Sequence, residues 1–216
     1  MADFPDLPAN ELPPHDAISI PDVLPVMALR DAVLFPFAII PLTVGREISV
    51  AAVNEALSGD RLLLVLTQKD PQSENPQPDE LYETGCVALI MRMLKLPDGT
   101  IRILIQGLSR ARVDYFTRSE PSFEARLTPL AEPEAGTNEL EEKAFVRSIK
   151  QGLERVSTLG KQISPEVILI TSGLEDPLRL ADLAASNLGL EVPDAQQVLE
   201  TIDAMPRLRR VHELLE

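Results

Sequence analysis

Two rhythms of apolar and polar residues divide the chain. From residue 23 to residue 131 the apolar residues come in short runs or strict alternation, which reads as β-rich. "RLLLVLTQ" (Arg61–Gln68) is a nearly continuous apolar run of strand length. "CVALIMRMLKL" (Cys86–Leu96) and "TIRILIQGL" (Thr100–Leu108) flank Pro97-Asp98-Gly99, where Pro presets φ and Gly accepts a positive φ, so a turn is predicted between two strands. Ile101, Ile103 and Ile105 alternate with Arg102, Leu104 and Gln106, as a half-buried strand requires. "FEARLTPL" (Phe123–Leu130) continues the series. One helix is expected among the strands, "REISVAAVNEALSG" (Arg46–Gly59), with Ile48, Ala52, Ala56 and Leu57 on one face and Gly59 as its stop. Several strands with one short helix predict a small mixed or closed sheet rather than a doubly wound one.

The period turns helical after "AEPEAG" (Ala131–Gly136), a polar connection. Leu140, Ala144, Ile149, Leu153, Val156 and Leu159 recur at helix spacing, with Asn138 and Glu141 placed as a capping box and Gly160 as C-cap. Ser164-Pro165 and Asp176-Pro177 read as N-caps followed by proline, whose missing N–H costs nothing there. Leu180, Leu183, Ala184 and Leu188 share a face of the next helix. Asp203 is expected to cap a last helix whose first turn tolerates Pro206 and whose apolar face, Leu208, Val211, Leu214 and Leu215, is still running at Glu216. A helix that stops without a cap hints at a longer parent chain. Residues 1–22 hold five prolines, five acidic residues and no Lys or Arg, so a flexible acidic tail is expected there. The fold class expected is α+β: a tail over 1–22, a β-rich part over 23–131 and a helical bundle over 137–216.

"AVLFPFAIIPLTVG" (Ala32–Gly45) carries no charge over fourteen residues. A spanning helix needs about 20 apolar residues, and Pro36 and Pro41 break this one. It is therefore core or contact surface, with Leu34, Ile40 and Leu42 expected in the core. Composition sharpens the picture only in places. Aromatic residues are 4% with no Trp, so the core is built from Leu, Ile, Val and Ala. A single cysteine, Cys86, excludes an internal disulfide framework and suits a reducing compartment. No secretory leader is read at the start, and the cytoplasm is expected. The net charge of −14 is shared evenly between residues 1–130 and 131–216. Nucleic-acid binding wants a concentrated basic face. The one tight basic cluster, Arg207, Arg209 and Arg210, reads instead as the solvated face of the last helix.

The search for chemistry finds little. A phosphate loop needs G-x-x-x-x-G-K-[S/T]; around Gly160-Lys161, Arg155 and Gln162 stand at two required positions. His15 and His212 lie at opposite ends and form no metal spacing with Cys86, which reads as a small buried residue. Candidate carboxylate pairs lie on faces that look solvated. Met91 and Met93 alternate with Arg92 and read as core, with a peptide groove as the alternative.

Three strings carry a resemblance: "LPVMALRDAVLFPFAIIPLTVGRE", "DELYETGCVALIMRMLKLPDGTIRILIQGLSRARV" and "PEVILITSGLEDPLRLADLAASNLGL". They resemble the N-terminal domain of the bacterial ATP-dependent Lon proteases, over about residues 23–215. The resemblance implies a PUA-like β-rich part followed by a helical bundle. It implies a parent that continues through a long helix into an ATPase module, where ATP and Mg would bind, and a Ser-Lys peptidase module. No catalytic, cofactor or metal residue is carried over to this chain. The family assigns to this part the capture of unfolded, damaged or degron-tagged proteins, with help in assembling a hexamer. Two positions depart from the family's usual pattern, Phe37 where a polar residue is common and Ile48 where Lys is common. These swaps make Phe37, with Glu47, Ile48 and Ala51 on the helix that follows, the candidate substrate contacts; the alternative is that Phe37 and Ile48 are packed. Competing readings are an assembly or gating element and an autonomous RNA-binding protein, the latter at odds with the charge.

Overall fold

The computed structural model describes residues 18–133, 139–158 and 163–216. Six strands are followed by five helices, with one further helix among the strands. The strands are β1 (Val23–Leu29), β2 (Ile39–Val44), β3 (Leu62–Thr67), β4 (Thr84–Lys95), β5 (Ile101–Arg118) and β6 (Phe123–Pro129). Helix α1 (Glu47–Ser58) lies between β2 and β3, and α2 (Glu139–Thr158), α3 (Pro165–Gly173), α4 (Pro177–Asn187), α5 (Val192–Glu200) and α6 (Ala204–Leu215) complete the chain. The class is α+β, as the change of rhythm predicts.

The sheet runs β2-β5-β4-β3-β1-β6, and β6 also pairs with β5, so five strands close on themselves. Among the described strands, β1 and β3 are the only parallel neighbours. Closure is possible because β5 is 18 residues long, twice the run that alternation marks. Its first half pairs with β2 and its second half with β6, while β4 covers its other edge. The predicted turn stands at residues 97–99, with Gly99 at φ 87° and Asp98 Oδ1 accepting from the Thr100 N–H at 3.0 Å. The unbroken apolar run of β3 has a simple cause: all six residues are buried, Leu62, Leu64 and Leu66 in one layer and Leu63 and Val65 in another.

Several expectations shift. Residues 18–22 are not a free tail: Ile18 and Ile20 pack on the barrel layer, and the Asp22 C=O accepts from the Leu127 N–H at 2.8 Å. Residues 1–17 lie outside the described residues, as do Asn138, Leu159 and Gly160. The buried face of α1 is Ser49, Ala52, Val53 and Ala56, leaving Ile48 and Leu57 half-buried at its flanks. On α2 the period-four reading drifts off the true stripe. Leu140 is 83% exposed and Ala144 is exposed, while Phe145, Ile149, Leu153 and Val156 meet the helical core. Met93 and Leu94 stand exposed near the end of β4, beyond the reach of either layer, so Met93 is not core.

The proline-led starts hold: Ser164 Oγ accepts from the Val167 N–H, and Asp176 Oδ1 from the N–H groups of Leu178 and Arg179. Asp203 occupies the N-cap position of α6, but its side chain makes no capping bond. Leu180, Ala184, Leu188, Leu208 and Val211 are buried in the helical core.

Candidate functional site

The uncharged stretch Ala32–Gly45 is divided between two cores. Leu34 and Val44 join the sheet layer with Ile40 and Leu42 at its edge, whereas Phe35 inserts among the helices with Val33 beside it. Gly107 on β5 permits this crossing. A Cβ there would lie 2.2 Å from the Phe35 carbonyl oxygen, and the glycine instead exchanges backbone bonds with the loop, Phe37 N–H to Gly107 C=O and Gly107 N–H to Ala38 C=O, both 2.9 Å. The path forces Phe37 to φ 64°, a left-handed conformation that a bulky L-residue rarely takes.

Phe37 is thereby presented, half-exposed, at the junction of barrel and helices. The Asp176 cap sets Arg179 in the first turn of α4, and its guanidinium lies over the Phe37 ring at 4.2 Å from the centroid. Pro36, Phe37, Ile170, Leu174 and Leu183 line a crevice of about 180 Å³ beneath them. Leu169 is 74% exposed and Ile170 56% exposed, so apolar surface continues from the crevice onto α3. Those two residues were missed from sequence. The signal was the unbroken run Val167, Ile168, Leu169 and Ile170 in a nine-residue helix, more apolar positions than one buried face can hold.

Glu47, Ile48 and Ala51 line a different cleft of about 660 Å³, opposite Pro76, Gln77, Pro121 and Phe123. The four expected contacts therefore do not form one patch: three share this cleft and Phe37 lines the junction crevice. Ile48 also packs on the barrel layer. The cleft's wall is fastened by Arg118, which pairs with Glu55 of α1 and reaches Ser122, while Ser122 Oγ donates to Glu55 at 2.7 Å. The hydrogen bond from Arg118 holds the Glu55 carboxyl below its ordinary pKa.

Polar chemistry concentrates inside the molecule. Arg207 is not on a solvated face: it is fully buried, as are Arg110 of β5 and Asp182 of α4. Arg110 makes a two-pronged pair with Asp182, Arg207 lies 3.3 Å from the same carboxylate, and both guanidiniums meet Glu132 at 2.9 and 3.1 Å. Backbone carbonyls accept further bonds: Arg110 Nε donates to the Leu199 C=O, and Arg207 donates to the C=O groups of Thr201 and Ile202. Two positive and two negative groups thus close on one another and bind β5, α4, α6 and the connection after β6. Asp182 also corrects the view that the carboxylates are all solvated; burial pushes its carboxyl up, against the pull of Arg110 and Arg207.

The other candidates stay inert. Cys86 is buried in β4, and burial pushes its thiol up to about 12. His212 packs edge-on to Phe145, while His15 and Gly160-Lys161 lie outside the described residues. Among the described residues there is no cluster of metal-ligating side chains, and no helix is long and apolar enough to cross a membrane.

The family model described as the ATP-dependent protease La (LON) substrate-binding domain matches residues 23–216. This chain belongs to that family. Among curated proteins, it is 47% identical over 201 residues to a Lon protease of Geobacter metallireducens, covering 93% of this chain and 24% of that protein. It is 48% identical over 198 residues to Lon protease 2 of Bdellovibrio bacteriovorus, covering 92% of this chain and 25% of the relative. The chain thus spans about a quarter of the length of these Lon proteases. Among solved structures, the N-terminal domain of the Mycobacterium avium complex Lon protease superposes with a TM-score of 0.70 at 24% identity, covering 89% of this chain and 97% of that one, a likeness of fold.

Proposed function

We propose that this Lon substrate-binding domain is the recognition part of a cytoplasmic ATP-dependent serine protease. It captures exposed apolar segments of unfolded, damaged or degron-tagged proteins and passes them to the ATPase and peptidase modules of its parent. The observation that carries the reading is Phe37, held half-exposed in a left-handed conformation and lining one crevice with the exposed Ile170. Backbone strain of this kind persists where the surroundings over-determine it, and it gathers at ligand sites. A shallow apolar crevice suits weak, sequence-tolerant capture, because the client must move on. The cleft at Glu47, Ile48 and Ala51 is the second contact surface, met by a longer client.

Anisotropy of a labelled, permanently unfolded protein titrated with residues 1–216 tests this, with the same protein folded as control. Binding of the unfolded form alone, weakened by Phe37→Ser and Ile170→Ser, is the expected result. Equal binding of both forms, or of neither, would sink it.

Assembly is the second reading, favoured by the same exposed Leu169 and Ile170, which a neighbouring subunit of a hexamer could cover. Sedimentation over a range of concentrations separates the two: self-association lost on Ile170→Ser, with no client binding, would move the function to assembly.

A further inference from the structure

Strand β2 leaves one edge of the sheet open, since among the described strands it pairs with β5 alone. Which backbone groups are free follows from two facts. Pro41 has no N–H, and a proline within a sheet turns its nitrogen to the open side. The Ala38 C=O accepts from the Gly107 N–H, and in an extended strand alternate residues direct both backbone groups to the same side. Ile40, Leu42 and Val44 therefore face β5, opposite Ile105, Ile103 and Ile101. The N–H and C=O of Ile39 and Thr43 and the C=O of Pro41 face outward.

This edge joins two surfaces already marked by their chemistry. It starts two residues after Phe37, at the junction crevice. At its other end it runs into a seam of about 420 Å³, lined by Leu42, Val44 and Arg46 on one side and Met27, Leu29 and Arg30 on the other. Arg46 bridges the seam by donating to Gln68 Oε1 and to the Ala28 C=O, both at 2.9 Å and both neutral acceptors. Arg30 adds a second positive charge, and burial, with repulsion from Arg30, lowers the pKa of Arg46. Asp31 lines the same seam, so its charged side chains are two guanidiniums and one carboxylate; in a chain of net charge −14, that excess is a local positive spot at the end of an open strand edge.

We propose that the free edge of β2 accepts a strand from an extended client segment, apolar where it meets the Phe37 crevice and bearing a carboxylate where it meets Arg30 and Arg46. The proposal rests on reading the domain as a module that captures clients. Backbone pairing is indifferent to client sequence, which suits a receptor for many unrelated chains. The six residues of β2 offer about 20 Å of edge. Pro41 removes the middle donor, so pairing is interrupted and weak. The overall negative charge discourages acidic clients in general, which leaves the carboxylate as a local anchor of register and not as a bulk attraction.

The test uses the whole chain and a fluorescein-labelled decapeptide of alternating Val and Thr, with two leucines at one end and Glu at the other, made in both sequence directions. N-methylation of alternate peptide residues removes backbone donors from one side only. One methylated set is expected to lose binding and the other to keep it. Thr43→Pro, which deletes an outward N–H and leaves the β5 ladder intact, should weaken binding about fivefold, the worth of one neutral hydrogen bond, with an unchanged circular dichroism spectrum. Arg30→Gln should erase the preference for the Glu peptide over its Gln counterpart.

Equal binding by both methylated sets, or no effect of Thr43→Pro, would overturn strand addition while leaving client capture standing. Failure of both the peptide and a permanently unfolded protein to bind would remove capture as well. Dimerisation abolished by Thr43→Pro would assign the edge to a second copy of this chain and overturn the proposal.

Discussion

Phe37 separates a backbone cost from a surface gain. A left-handed conformation costs an L-residue about 1–2 kcal/mol, which Asn tolerates better than Phe. The ring returns part of that through its contact with Arg179, about 0.5–1 kcal/mol at a partly exposed site. Phe37→Asn is therefore expected to leave stability within about 1 kcal/mol of the parent while weakening client binding. Urea unfolding and anisotropy on the same samples read the two effects apart; parallel losses would mean that the ring serves packing alone. Gly107 gives the opposite case. With the Phe35 carbonyl 2.2 Å from any Cβ, Gly107→Ala should destabilise by about 3 kcal/mol, the upper range for overpacking, and loosen the whole loop. Cys86 should react with a thiol reagent at pH 8 only after unfolding, since burial keeps its thiol near 12.

Among the elements, α1 is tied to the turn between β5 and β6. Glu55 of α1 fastens the 118–122 turn that walls the second cleft. Its folded pKa lies below the unfolded value, so its contribution to stability is fully present above the unfolded pKa of about 4.3. That contribution is lost as pH falls through the depressed folded value. Glu55→Gln should flatten this part of the acid stability profile, and an unchanged profile would show that the carboxylate is not coupled to folding. Sequence periodicity reached β3, β4, the start of β5, β6 and the proline-led helices, because each presents a run whose burial is decided locally. It fell short wherever a partner decides. The second half of β5 is polar enough to look like a loop, yet β6 gives it a strand to pair with. The α2 stripe is set by α4 and α6, not by the spacing of its own leucines. Ile48 and Ala51 were placed rightly on α1, but no spacing shows that Phe37 would line another crevice.

For the whole molecule, the buried Arg110–Asp182–Arg207–Glu132 group decides how the barrel meets the helices. It was illegible in sequence because its members are 22 or more positions apart from β5 to α6 and each looks like a surface charge when read alone. Asp182→Ala leaves two buried guanidiniums sharing the single carboxylate of Glu132 and should cost about 3–5 kcal/mol. Asp182→Ala combined with Arg207→Met should cost less than the two single changes together, because one uncompensated charge leaves with its partner. Thermal unfolding of the three variants checks this, and simple additivity would mean that the group is not coupled. The distributed acidity acts at longer range: capture of clients with basic segments should weaken as salt shortens the Debye length, measured by anisotropy at rising ionic strength.

The parallel alignment of β1 with β3 has a mechanical side. The same β1 is antiparallel to β6, which holds its first half, Val23–Val26, while β3 holds its second half, Val26–Leu29. A pull along the axis of β1, applied at the residue 18 end, strains the rungs of both ladders together instead of peeling them one by one. Loading of that kind is shear, which resists far more force than unzipping does. A domain of this design yields late under tension applied from that end, so it can serve as a fixed anchorage while something softer is drawn away from it.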